Sequence, residues 1–164
     1  MKVFGFAGWS GSGKTTLIES LIPRFVRAGL TVSLIKHAHH SFDVDHPGKD
    51  SHRHREAGCK EVLVSSDKRW VVMHELRGER EPGLEELIKR VSPCDLLLVE
   101  GYKHFPQPKL EVYRGANGKP LLHPDDPNIV AIAADVPLDT RLPRFGLGDH
   151  DRIADFILGY NGFK

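Results

Sequence analysis

The sequence predicts an α/β fold with a mainly parallel central sheet flanked by helices, together with a strand pair that can close as an antiparallel hairpin. Three observations carry this expectation. Short apolar runs alternate along the chain with segments of helical periodicity. The runs Asp95-Leu96-Leu97-Leu98-Val99 and Ile129 to Ala134 are apolar without polar alternation, as strands covered on both faces are. A glycine-rich turn joins the first strand to the first helix, at the end of a sheet where doubly wound folds place their ligands.

Val3 to Ala7 reads as a short buried strand that ends at Gly8. From Lys14 to Ala28 the residues Leu17, Ile18, Leu21, Ile22, Phe25 and Val26 follow a helical period that Gly29 closes, with a kink expected at Pro23. Thr31 to Ile35 is the second strand, and a polar, histidine-rich loop follows it. Asp50 or Ser51 can cap a helix ending near Gly58. Glu61 to Ser65 and Arg69 to Leu76 read as strands of a hairpin turning at Ser66-Asp67-Lys68. Gly83 to Val91 reads as a helix, Asp95 to Val99 as a buried strand, and Lys109 to Arg114 as another, followed by a Gly-Ala-Asn-Gly turn. Leu121 to Asn128 is loop. Ile129 to Ala134 is a further buried strand, and Asp149 can cap a final helix over Asp151 to Leu158. No linker marks a second domain, so residues 1–164 are read as one domain.

A chain of 164 residues buries a real core without staples. The formal net charge of +1 provides no overall field for nucleic acid or membranes, so neither is expected as a partner. Cys59 and Cys94 form no CxxC or zinc-like pattern, and no apolar stretch reaches the length of a signal or membrane segment. A reduced, cytoplasmic protein is expected.

Gly8-Trp9-Ser10-Gly11-Ser12-Gly13-Lys14-Thr15 matches G-x-x-x-x-G-K-[ST] at every fixed position, between a predicted strand and a predicted helix. This is the sequence of a P-loop, and the fold class sharpens to a P-loop NTPase fold with one nucleotide-binding domain. Gly11 and Gly13 let successive amides turn toward one point, and the following helix adds its N-terminal dipole. Gly8, Ser10, Gly11, Ser12, Gly13, Lys14, Thr15 and Thr16 form the expected nucleotide cradle. Lys14 supplies a point charge for the β- and γ-phosphates, and the Thr15 hydroxyl is the expected Mg²⁺ ligand. Glu100 closes the buried strand at the same sheet end. It can hold Mg²⁺ or orient an attacking water, or serve as a cap or surface charge. Asp95, at the other end of that strand, reads as structural.

Beside the P-loop, the blocks Lys36-His37-Ala38-His39-His40, Asp43-Val44-Asp45-His46-Pro47-Gly48-Lys49-Asp50-Ser51, Val99-Glu100-Gly101-Tyr102-Lys103 and Ile132-Ala133-Ala134-Asp135-Val136-Pro137 stand in order along nearly the whole chain. This series resembles the molybdopterin-guanine dinucleotide biosynthesis protein B (MobB) family. The resemblance implies a dimeric GTP-binding adaptor with weak GTP hydrolysis. It implies work beside a guanylyltransferase that joins GMP to molybdopterin, with GTP and Mg²⁺ as cofactors and molybdopterin as a possible ligand. Trp9 and Ser10 stand where some relatives carry a lysine that reaches across the dimer, so that device is absent. No Asn-Lys-x-Asp motif reads guanine. Asp135 follows a late strand and can accept from guanine N1 and N2, or cap a turn before Val136-Pro137.

Six histidines (His37, His39, His40, His46, His52 and His54) and the acids Asp43, Asp45 and Asp50 crowd one stretch. They can bind a transition metal, or form a polar loop whose histidines are solvated or meet anionic ligands; the resemblance implies a switch-like loop near the phosphates of the nucleotide and of molybdopterin. Asp50 is a candidate water-mediated Mg²⁺ partner or a helix cap. Lys36 and Lys103 can each reach phosphate or be surface charges; Lys103 is expected near the γ-phosphate because of the Gly101 turn. Trp9 can cover a ligand or pack under the loop. Two other functions compete with the adaptor: a small-molecule kinase, with His52, Arg53 and Arg55 as a basic lid, and a metal-insertion GTPase using the histidine loop.

Overall fold

The computed structural model describes residues 1–38 and 42–163. His39 and His40, of the histidine-rich stretch, lie outside the described residues. The chain folds as two compact units, Met1–His37 with Leu84–Lys164, and Ala38–Gly83.

The larger unit holds a six-stranded sheet of strands β1 (Lys2–Ala7), β2 (Val32–Lys36), β5 (Leu96–Glu100), β6 (Lys109–Tyr113), β7 (Ile129–Ala134) and β8 (Arg144–Gly146). Their order across the sheet is β2-β5-β1-β6-β7-β8, and every neighbouring pair is parallel. The chain runs from β1 to β2 on one side and from β5 across β1 to β6 on the other, so the end of β1 is a topological switch point. Helix α1 (Lys14–Arg27) turns Leu17, Ile18, Leu21 and Phe25 inward and runs unbroken through Pro23. With α4 (His150–Tyr160), which contributes Ile153, Ala154 and Ile157, it covers one sheet face against Phe4, Phe6, Leu98 and Val112. Helix α3 (Leu84–Ile88) helps cover the other, where Leu84 lies with Ile35, Leu97 and Val99. Leu96 to Val99 are thus buried on both faces, as the uninterrupted apolar run requires.

The smaller unit carries helix α2 (Asp50–Glu56) and the antiparallel pair β3 (Glu61–Ser65) and β4 (Trp70–His74). The hairpin stands where the two strand runs and the Ser66-Asp67-Lys68 turn predict it. Capping departs from expectation. Lys49, not Asp50 or Ser51, is the N-cap of α2, and no side chain caps it; the Ser51 hydroxyl instead donates to Asp45 at 3.1 Å. Asp149 is the N-cap of α4, but its carboxylate accepts from the Gly146 amide at 2.9 Å instead of from the helix. Strand β8 was not expected; three residues leave too little pattern to read. In α2 the half-buried Arg55 guanidinium meets Asp43 at 2.9 Å and Glu75 at 2.8 Å, with Asp45 at 3.6 Å. Hydrogen bonding from Arg55 holds the Asp43 carboxyl below its usual range.

Candidate functional site

The C-terminal ends of β1, β5 and β2 meet in register: Phe6 pairs with Glu100, and Glu100 with Lys36. The P-loop leaves β1 at that edge and opens α1, whose N-cap is Gly13. Gly8 is obligatory there. Its φ is 150°, and a Cβ would sit 2.4 Å from the Val112 carbonyl oxygen. The loop therefore passes hard against β6.

Within the cradle the Lys14 ammonium donates to the carbonyls of Gly8 and Trp9, both at 2.9 Å. Burial lowers its pKa; Glu100 opposes that shift, while Lys103 and Lys36 add to it. Three lysines thus crowd around one carboxylate, a locus that favours a polyanion. Ser12 is buried and its hydroxyl has no partner among protein atoms, which suits a cradle built for acceptor oxygens.

The structure brings Thr15 and Glu100 together across the sheet edge: the Thr15 hydroxyl donates to Glu100 Oε1 at 2.7 Å. Glu100 is buried, and its other oxygen faces Lys36 Nζ at 3.6 Å. These hard oxygen donors beside a phosphate loop fit Mg²⁺, which takes few protein ligands and keeps phosphate and water for the rest. Lys36, left open on sequence grounds, thus lies at the site. Asp50 belongs to the smaller unit, where its exposed carboxylate pairs with Arg53 at 3.8 Å. Asp95 is structural, as expected; its Oδ2 accepts from the Thr31 amide and hydroxyl at 2.8 and 2.6 Å.

After Glu100 the chain turns sharply, with Tyr102 held at a φ of 47°. The turn sends Lys103 back over the P-loop, where its ammonium lies 4.0 Å from the Trp9 ring centroid in a cation–π contact. Trp9 itself is tied down by its indole N–H, which donates to the Pro120 carbonyl at 2.8 Å.

Asp135 follows β7 and lines an open cavity of about 590 Å³ with Val136, Leu138, Arg144, Phe145 and Arg152. One Asp135 oxygen accepts from the Gly115 amide at 2.8 Å; the other lies 3.8 Å from the Arg114 guanidinium. Arg114 and Asn117 were not singled out in the sequence, yet both lie beside the P-loop. The Asn117 amide donates to the Ser10 carbonyl at 3.2 Å, and an Arg114 nitrogen lies 3.3 Å from where a Gly13 Cβ would be. A cation directly after a buried strand was the available signal. Among the described residues no group of three His, Cys, Asp or Glu side chains could hold a metal ion. Asp43 and Asp45 are instead engaged with Arg55.

A parallel sheet with Gly8 to Thr15 following its switch-point strand, and an acid on the neighbouring strand touching Thr15, defines a P-loop protein of the NTPase class. Comparison with known proteins narrows the class. Residues 3–135 match the profile of the family described as MobB, Molybdopterin guanine dinucleotide synthesis protein B, and the chain belongs to that family. It is 42% identical over 159 residues to the molybdopterin-guanine dinucleotide biosynthesis adapter protein of Escherichia coli, covering 95% of this chain and 91% of that protein. The adapter protein of the same description from Haemophilus influenzae is 40% identical, over 94% of this chain and 86% of its own length. The crystal structure of Bacillus subtilis MobB superposes with a TM-score of 0.78 at 26% identity, covering 97% of each chain. That of a MobB homolog from Bacillus stearothermophilus gives a TM-score of 0.75 at 25% identity, covering 99% of each.

Proposed function

We propose that this chain is a GTP-binding adaptor in molybdenum cofactor biosynthesis that assists a guanylyltransferase in attaching GMP to molybdopterin. One observation carries the nucleotide reading: the Lys14 ammonium, the Thr15 hydroxyl and the Glu100 carboxylate converge at the mouth of the P-loop. The adaptor role is supported by membership of the family and by the adapter role of relatives that the chain matches over nearly its full length. The amides of Gly8 to Thr16 cradle the phosphates and Lys14 neutralises them. Thr15 and Glu100 would hold Mg²⁺, which would supply further neutralisation of phosphate charge. Lys103 stands above Trp9 at the rim and approaches the terminal phosphate. Asp135 offers a carboxylate to the guanine N1 and N2 donors, with the adjoining cavity accepting the base. Hydrolysis is slow and secondary to adaptor action, and the protein works in the cytoplasm as a homodimer.

The test is a calorimetric titration of GTP, ATP and GDP, with and without Mg²⁺, in the presence and absence of the guanylyltransferase. GTP is expected to bind in preference to ATP. Lys14→Ala is expected to weaken triphosphate binding about 100-fold, roughly 3 kcal/mol, the worth of one or two charge-assisted hydrogen bonds. Glu100→Gln is expected to abolish the Mg²⁺ dependence. No binding of any nucleotide, with or without the partner, sinks the reading.

A further inference from the structure

The connection between β6 and β7 lies against the P-loop at three points. The Pro120 carbonyl accepts from the Trp9 indole at 2.8 Å, the Asn117 amide donates to the Ser10 carbonyl at 3.2 Å, and Arg114 Nη2 stands 3.3 Å from where a Gly13 Cβ would lie. The same connection is tied to the cavity beyond Asp135. The Gly115 amide donates to Asp135, and a Cβ on Gly115 would meet Val136 at 2.8 Å. It thus spans the space between the phosphate cradle and the place where a base can sit.

Arg114 is the charged residue of this connection that faces both. Its Nη2 lies 3.3 Å from the Cβ position of Gly13, at the N-cap of α1, where helix amides and dipole already favour an anion. Its Nη1 lies 3.8 Å from Asp135 Oδ2, too long for a hydrogen bond, and its side chain is 42% exposed. A guanidinium has five donors, and a phosphate oxygen pair matches its fork. The position beside the last P-loop glycine is one from which it can reach the phosphate chain of a nucleotide seated in the loop.

We infer that Arg114 is a further phosphate-binding cation of this site, beyond Lys14 and Lys103, reaching the nucleotide's phosphate chain from the side of the base while Lys14 reaches it from within the loop. The inference rests on the nucleotide-binding reading above. It acts on phosphates and not on the base, so it predicts a pattern distinct from that of Asp135.

The test compares wild type, Arg114→Ala, Arg114→Lys and Asp135→Ala by calorimetry with GTP, GDP and ATP, alongside thermal melts. Arg114→Ala is expected to weaken GTP, GDP and ATP by a similar factor of about ten or more, with an unchanged melting temperature. Arg114→Lys is expected to recover part of that loss, because the charge is kept while the fork is not. Asp135→Ala is expected to change the GTP-to-ATP ratio instead. Wild-type affinity in Arg114→Ala overturns the inference and leaves the nucleotide reading standing. A loss accompanied by a lower melting temperature and no recovery in Arg114→Lys also overturns it, since Arg114 then only supports the loop. Failure of the wild type to bind any nucleotide overturns the reading on which both rest.

Discussion

Two carboxylates on one strand have opposite tasks because the strand's ends face different surroundings. Glu100 closes β5 at the ligand edge, buried against Thr15. Asp95 precedes β5 at the far edge, where the Thr31 hydroxyl and then the Thr31 amide hold its carboxyl below the usual 3.8. A carboxylate whose value is depressed by folding stabilises the native state above its unfolded value and loses that support as pH falls through the folded one. Asp95→Asn is therefore expected to melt below wild type near neutral pH, with the gap closing as the pH falls below 3.8 and through the lowered folded-state value. A gap that stays constant across that range, followed by circular dichroism, contradicts the role. Lys14 runs the other way. Burial depresses its value, so the protonated side chain costs stability in the absence of an anion, and that cost fades only as the pH rises toward 10.5.

Strand β6 shows how an element can be legible while its chemistry is not. Lys109 to Arg114 reads as a strand, and Leu110 and Val112 do enter the core. Lys109 and Glu111 point to the opposite face and are equally buried. The Lys109 ammonium donates to the carbonyls of Lys103 and Phe105, both at 2.8 Å, and to Asp126 at 2.7 Å. Glu111 accepts from the amides of Leu122 and His123 at 2.7 and 3.0 Å. Each charge fastens a loop over a sheet face, and the loop under Lys109 is the one that carries Lys103 to the P-loop. At Asp126 burial alone would raise the carboxyl's pKa; hydrogen bonds from Lys109 and Asn128 outweigh it. Lys109→Met strands the Asp126 charge and is expected to cost about 3–5 kcal/mol in urea unfolding. A loss well under 1 kcal/mol would show that the loop holds without this clamp.

For the molecule as a whole, the smaller unit offers an exposed apolar face. Leu63 pairs with Val72, and Ser65 with Trp70, so these residues share one face of the hairpin. Leu63 and Trp70 are 63% and 66% exposed, and Val72 43%. Such a face costs free energy in water, which supports the proposed homodimer. Leu63→Lys with Trp70→Lys is expected to shift the monomer–dimer equilibrium at least about tenfold toward monomer by sedimentation equilibrium. A wild type that sediments as monomer at high concentration removes the dimer, and an unaffected dimer moves the interface elsewhere. Among the described residues no helix is long and apolar enough to cross a membrane.

By itself the sequence determined what depends on neighbours along the chain. The P-loop, the helical period of α1, the hairpin and the buried run of β5 are local, because turn chemistry and side-chain periodicity are local properties. Tertiary structure decided which distant groups meet. Thr15 and Glu100 are 85 positions apart and touch only because β1 and β5 pair in one register. Slipping that register by one residue would turn Glu100 to the other sheet face. Arg114 stands beside Gly13, and Lys103 lies on Trp9, for the same kind of reason: the order of parallel strands fixes which loops share an edge, and no spacing in the sequence encodes it.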